Sequence, residues 1–209
     1  MKELWLIRHG ETEWNVSKRF QGHLDIPLSP VGIGQAFRLA QRLARSQLPF
    51  DGLFSSDLRR ARETAEPLAA VLGLPLKTTP LLREIDVGAL AGLDRDEAEA
   101  RFPDFVQKAQ EDPWHTPRPG GESMADLAQR LLAFLETLPS GRHLLVTHGG
   151  VIRAALKLAL DLEGHAWRRV HIPNTSITRI QLPSREVLTV SDVAHLETWA
   201  DGLSDESVQ

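Results

Sequence analysis

Leu4-Trp5-Leu6-Ile7-Arg8-His9-Gly10 decides how this chain is read. Four apolar residues stop abruptly at an arginine, a histidine and a glycine. That pattern predicts a short buried strand whose last residues emerge at a surface. The pattern returns at His143 to Thr147, followed by His148-Gly149-Gly150, and more briefly at Gly52 to Ser55 with Ser56 beyond it.

Helical signals separate these strands. Ser29-Pro30 supplies a cap and a first-turn proline, and Ile33, Phe37, Ala40, Leu43 and Ala44 follow with the helical period. Residues 57–72 form a second helix that Gly73 stops and Pro67 is expected to kink. Residues 74–82 are expected to be extended, and the polar stretch 94–112 helical. Ser123 caps a third strong helix with Met124, Leu127, Leu131, Leu135 and Leu138 on one face. A fourth runs from about Val151 to Leu160. Residues 175–182 and 187–193 alternate as a hairpin through Pro183-Ser184. The acidic tail from Asp201 is expected to fray.

Strands alternating with helices predict an α/β fold: a three-layer α/β/α sandwich around a mixed, mostly parallel sheet. The stretch 92–121 interrupts the alternation and ends in a Pro/Gly-rich loop carrying Trp114 and His115. It reads as a cap insert over the site, within one domain spanning 1–209. In such sheets ligands bind beyond the carboxyl ends of the strands. Arg8-His9-Gly10, Ser55-Ser56 and His148-Gly149 all fall there.

Composition narrows the chemistry. The 209 residues are 42% hydrophobic and 25% charged, ordinary for a globular chain. There is no cysteine, which excludes disulfides, thiol nucleophiles and Cys-ligated metals. A net charge of -4 offers no footprint for nucleic acid. No apolar run is long enough to span a membrane, and Arg8 ends the first one too early for a signal peptide. A cytoplasmic location is the expectation. A homodimer is compatible with the sequence but not written in it.

A lone histidine at a strand end is more often structural than catalytic. The arginine beside His9 changes the balance, because it repels a metal cation and suits an oxyanion. Of Arg59, Arg60 and Arg62, one or two at most can enter a site at the helix start. Ser55 and Ser56 could help to orient an anion there. Glu84 reads locally as a surface carboxylate, and His148 equally as a structural histidine. No His-x-His or His-Glu-x-x-His spacing occurs, so no metal site is expected.

Taken in order, five motifs resemble the histidine phosphatase superfamily, with its phosphoglycerate mutase-like fold. They are residues Leu6 to Asn15; Gln21-Gly22; Ser56-Asp57-Leu58-Arg59-Arg60-Ala61 with Thr64-Ala65; Leu82-Arg83-Glu84-Ile85-Asp86 with Gly88; and Thr147-His148-Gly149. The resemblance implies that His9 is a nucleophile forming a phosphohistidine. It makes Arg8, Arg60 and His148 phosphate ligands and Glu84 the proton donor. Asn15, Gln21, Gly22 and Gly149 then line the phosphate pocket. No cofactor is implied, and the partner is a small-molecule phosphate ester.

The resemblance leaves two reactions open. Mutases of this kind carry basic and tyrosyl residues after the catalytic glutamate and an asparagine after the late His-Gly. Here Ile85-Asp86-Val87 and Gly150 stand in those places, and the chain has no tyrosine. Asp86 is expected to repel a second phosphate. Pro119-Gly120-Gly121-Glu122-Ser123 and Asp192-Val193-Ala194-His195-Leu196-Glu197 also look like the broad-specificity phosphatase branch. A phosphatase is therefore expected; cofactor-dependent phosphoglycerate mutase is the alternative, and a non-catalytic phospho-ligand binder is less favoured because His9 and Glu84 are both retained. The aromatic loop at Trp114 and His115, with few charges beyond Arg118, is expected to favour bulky apolar leaving groups.

Overall fold

The structure is a computed structural model and describes residues 1–197. The tail from Asp201 lies outside the described residues. The first strand, β1, spans Lys2–Arg8. A short helix α1 (Glu13–Val16) and a long one, α2 (Pro30–Ser46), follow. Then come β2 (Gly52–Ser56), α3 (Arg59–Leu72), β3 (Leu76–Thr79), α4 (Arg95–Arg101) and α5 (Pro103–Glu111). The chain continues through α6 (Met124–Thr137), β4 (Gly141–Thr147), α7 (Gly149–Leu160), β5 (Ile177–Leu182) and β6 (Glu186–Asp192).

The six strands form one sheet in the order β3-β2-β4-β1-β5-β6. The pairs β1–β4, β2–β4 and β2–β3 are parallel, while β5 and β6 join antiparallel at one edge. The strand period of two sorts β1 between two cores. Leu4 and Leu6 pack with Leu127, Leu131, Ile152 and Leu156 of α6 and α7. Trp5 and Ile7 pack with Leu39, Leu43, Ala61 and Leu68 of α2 and α3. Each fully buried leucine contributes roughly 1.5–3 kcal/mol, so the central strand is anchored from both sides. Its register pairs Arg8 with Thr147, which sets His9 beside His148.

Three expectations need correction. The buried stripe of α2 is Gly32, Ala36, Leu39, Ala40 and Leu43, whereas Ile33 and Phe37 are 48% and 57% exposed. Backbone contact sets that face: a Cβ on Gly32 would run into the carbonyl oxygen of Glu11, and one on Gly10 would lie 2.7 Å from the Gly32 oxygen. The stretch 94–112 is two helices, because Phe102 leaves helical geometry (φ -132°, ψ 54°) ahead of Pro103. In addition, only Leu76–Thr79 of the expected extended segment is strand, and Pro80–Leu82 close into a 3₁₀ turn.

The α2 contact yields a paired test. Gly32→Ala should destabilise the protein by about 1–3 kcal/mol, as overpacking does. Gly34, on the open side of the same helix, has nothing within 4 Å of an added Cβ. Gly34→Ala should instead stabilise by roughly 0.5–1 kcal/mol through helix propensity. Urea midpoints of the two variants check this; equal shifts would refute the packing argument.

Candidate active site

The ends of β1 and β4, helix α1 with the loop after it, the start of α3 and the turn after Pro80–Leu82 deliver the polar residues. His9 is 3% exposed, and its backbone N–H donates to the Thr147 carbonyl at 2.9 Å. Its Nδ1 lies 2.6 Å from the Gly10 carbonyl oxygen. A carbonyl only accepts, so Nδ1 carries the proton and Nε2 keeps its lone pair. Burial, then the Arg60 and Arg8 charges, hold the ring well below the usual histidine pKa, so it is neutral. Gly10 is fixed in turn by a 2.9 Å bond from its N–H to Thr64 Oγ1 of α3.

Two guanidiniums flank the ring. Arg8 donates through Nη1 to the Ile172 carbonyl at 2.6 Å. Arg60, 1% exposed, donates to the Leu24 and Gly22 carbonyls, both at 2.8 Å. Burial pulls both down to about 10, still cationic at neutral pH, and Glu84 opposes that fall. The His148 ring lies 5.1 Å from the His9 ring, centroid to centroid. Burial first, then Arg60, keeps His148 neutral as well. Arg8 Nε, Arg60 Nε, both His148 ring nitrogens and Gln21 Oε1 are buried with no hydrogen-bond partner among the described residues. Buried polar atoms are nearly always satisfied. Here the unmet atoms gather around one histidine, an arrangement suited to an incoming anion.

Glu84 faces this group from the turn after Pro80–Leu82. Its carboxylate accepts from the N–H of Ile85 at 2.9 Å and of Gly150 at 3.1 Å. A Cβ at residue 150 would collide with Glu84 Oε1, so any side chain there would push the carboxylate out of this position. Arg130 secures the turn from below, donating to the Leu81 and Glu84 carbonyls at 2.9 and 2.8 Å. Glu122 is engaged elsewhere. Burial raises its pKa, but bonds from Arg130 and the Asp86 N–H outweigh that and hold it low. Asp86 accepts from Gly88 N–H and does not line the cavity, so the expected repulsion of a second phosphate has no basis there.

A cavity of about 510 Å³ opens above His9, lined by Arg8, Asn15, Gln21, Gly22, Arg60 and Glu84 among others. His148 and Gly149 sit behind that wall; a Cβ on Gly149 would stand 3.7 Å from Arg8 Nε. Ser55 and Ser56 do not reach it: they bond their own backbone, Ser55 Oγ to the Ser56 carbonyl and Ser56 Oγ from Leu58 N–H. Arg59 points outward and pairs with Glu63.

The outer wall differs from expectation. Trp114 stacks edge-on against Trp167 at 5.6 Å beneath Lys157, and His115 is exposed beside Asp112. The aromatic lining comes instead from Phe20, Phe105 and Trp167. Seven arginines and two glutamates line the cavity. Arg19 and Arg95 are paired, with Glu97 and Glu99. Arg118 has no side-chain hydrogen bond or ion pair among the described residues, and burial pulls it down to about 10. Arg153 and Arg168 touch only backbone carbonyls, of Val170 and Ala109. The expectation of a wall with few charges is overturned. Arg153 was findable, being four residues after Gly149 on one helix face; Arg168 carried no such signal.

Among the described residues no group of three His, Asp or Glu side chains is placed to hold a metal ion, and no helix is long and apolar enough to cross a membrane.

With this geometry, the comparisons with known proteins agree. A model of the histidine phosphatase superfamily (branch 1) matches residues 4–191. A probable phosphoglycerate mutase, GpmB, of Yersinia pestis is 36% identical over 208 residues, covering 94% of this chain and 96% of the relative. The H9A variant of phosphoserine phosphatase from Entamoeba histolytica, solved with phosphoserine, superposes with a TM-score of 0.81 at 29% identity, over 94% of this chain and 100% of that one. A mycobacterial glucosyl-3-phosphoglycerate phosphatase, solved with VO3, gives a TM-score of 0.73 at 34% identity, over 87% and 91%. The chain belongs to the histidine phosphatase superfamily, branch 1, and is an enzyme of its phosphatase kind.

Proposed function

We propose that the enzyme hydrolyses small phosphate monoesters bearing a second anionic group, through a phosphohistidine on His9 and without a metal ion. The observation carrying this reading is the pair of buried guanidinium Nε donors of Arg8 and Arg60, with the His148 ring, that have no hydrogen-bond partner among the described residues and lie around the free Nε2 of His9. A neutral imidazole approaches a phosphate dianion without charge repulsion. Nε2 attacks phosphorus, the ester P–O bond breaks, and the departing oxygen takes a proton from the Glu84 carboxyl. Charge spreads over three equatorial oxygens, which Arg8, Arg60 and His148 surround. Water then cleaves the P–N bond, returning its proton to Glu84 and releasing orthophosphate. Asn15, Gln21, Gly22 and Gly149 shape the pocket. Residues 92–121, with α4, α5 and Arg118, serve as the cap of a single domain in a cytoplasmic enzyme.

The second anion follows from charge. Beyond Arg8 and Arg60, the cavity holds Arg118, Arg153 and Arg168, which form no ion pair among the described residues. The dianion of a phosphate ester leaves these unmatched. A carboxylate on the leaving group complements them, as it would in phosphoserine or a phosphoglycerate. The same arginines favour a second reading, phosphoglycerate mutase, to which the Yersinia relative's name also points. Supplying 3-phosphoglycerate with 2,3-bisphosphoglycerate separates the two: isomerisation matching the best hydrolytic rate would select the mutase.

His9→Ala should abolish turnover while leaving the fold intact. Rapid quench should trap an acid-labile, base-stable phosphoenzyme in the wild type alone, and EDTA should leave the wild-type rate unchanged. Near-normal activity in His9→Ala would sink the mechanism.

On substrate choice, kcat/KM for 3-phosphoglycerate should exceed that for glycerol 3-phosphate by about 10–100-fold, the range of charged hydrogen bonds. Arg118→Met should shrink that ratio. Equal rates in the wild type would remove the second anion from the reading while leaving hydrolysis standing.

Protonation also governs stability. His9 and His148 have folded pKa values depressed below the unfolded value of about 6.5. Above that value both states are neutral and nothing is lost. As pH falls below it, the unfolded chain gains protons that the folded chain refuses, costing about 1.4 kcal/mol per pH unit per histidine until the folded pKa is reached. Urea unfolding between pH 7 and 5 should show this slope, and His148→Gln should remove one histidine's share of it, leaving those of His9 and His195. A slope unchanged by that substitution would contradict the buried neutral state.

A further inference from the structure

His9 is supported from behind by a turn in the run Pro173-Asn174-Thr175-Ser176. Residues Pro173 to Ser176 form a tight turn closed by Ser176 N–H to the Pro173 carbonyl at 3.2 Å. Its third residue, Thr175, is fully buried with φ +56°, at a position where type II turns take glycine. A β-branched residue in the left-handed region is strained and persists only where its surroundings hold it. The turn meets the end of β1 directly. Thr175 N–H is shared between the Arg8 carbonyl at 3.0 Å and the His9 carbonyl at 3.3 Å. Asn174 Nδ2 donates to the His9 carbonyl at 2.9 Å and to Asn15 Oδ1 at 3.2 Å.

What holds Thr175 comes from the far edge of the sheet. Thr175 Oγ1 donates to the Asn174 carbonyl at 2.8 Å, so its remaining bond, 2.9 Å to His195 Nε2, is one in which the imidazole donates. The other ring nitrogen, Nδ1, faces Arg42 Nη1 at 3.5 Å, and Arg42 grips Asp192 through both oxygens. Burial, then Arg42, pushes His195 down to about 4, so it stays a neutral donor with one defined tautomer.

We infer that His195 is a positioning residue, which through Thr175 fixes the two carbonyls at the end of β1 and so aims the His9 ring. The inference rests on His9 being the nucleophile proposed above. It accounts for threonine where glycine would relieve the strain: the hydroxyl is the handle on which Asp192, Arg42 and His195 act.

The test is a double-mutant cycle read by the p-nitrophenolate burst, which reports phosphorylation of His9. His195→Ala should slow the burst by about 10–100-fold, the cost of misplacing a reacting group by about an ångström. The inhibition constant of inorganic phosphate should move by less than about threefold, because the loss falls on the transition state. His195→Gln retains an N–H donor and should recover most of the rate. In a Thr175→Gly background, where glycine holds a positive φ unaided, His195→Ala should cost less than about twofold. Equal losses in both backgrounds, or a full burst in folded His195→Ala, would overturn the inference while leaving the phosphohistidine mechanism in place. If His195→Ala fails to fold alone, its folding in the Thr175→Gly background supports the clamp, and failure there too overturns it. A wild type that forms no phosphoenzyme removes the reading of His9 and this inference together.

Discussion

The structure depends on keeping a group of polar atoms buried and unpartnered. Each such atom costs roughly 1–3 kcal/mol in desolvation. Arg8 Nε, Arg60 Nε, Gln21 Oε1 and the two His148 nitrogens have no protein partner among the described residues. The cost is sustained because the surrounding backbone holds the side chains by other bonds. The Ile172 carbonyl takes Arg8 Nη1, and the Leu24 and Gly22 carbonyls take the two Nη groups of Arg60. The Gly10 carbonyl orients the imidazole. An anion entering this space meets donors that need no rearrangement, which is the condition under which electrostatic stabilisation is largest.

The layered fold serves that requirement. β1 and β4 lie adjacent and parallel, so two histidine-bearing strand ends emerge side by side. Apolar residues on both faces of β1 keep that edge from shifting. Behind the site, Arg130 holds the Glu84 turn by its carbonyls while its own charge is met by Glu122. Glu84 is thus oriented by N–H donors alone and has no ion-pair partner among the described residues. That leaves it available for proton exchange, whereas Glu122 is committed to a structural pair.

Selectivity lives in a different layer of the same cavity. In the proposed mechanism the inner cradle meets the phosphoryl oxygens, common to every ester. The outer wall, with Arg118, Arg153 and Arg168 beside Phe105 and Trp167, meets whatever the ester carries. Apart from Arg153, which stands on α7, helices α4 and α5, the loop carrying Arg118 and the 3₁₀ turn Ala166–Arg169 build that wall, and such surface segments vary without disturbing the sheet. One cradle with a changeable wall explains how chains with similar folds come to be named as phosphatases of different esters or as a mutase.

Much of this was legible in the chain. Abrupt apolar-to-polar transitions at Ile7-Arg8 and Val146-Thr147 marked the strand ends, and the ordered motifs around His9, Arg60, Glu84 and His148 named the cradle residues. The sequence by itself determined the layered α/β architecture and the inventory of charged and nucleophilic groups, because strand burial and helix periodicity are local properties. Tertiary structure alone decided which face of α2 is buried, since Gly32 must meet the Glu11 backbone and small residues leave no hydrophobic signal. It alone removed Trp114 and Asp86 from the cavity and brought Arg168 to it. It alone brought Thr175 and His195 to the back of His9, across 166 and 186 positions of chain. Contacts of that range depend on how elements dock, and docking is set by backbone approach and buried charge, which no local window contains.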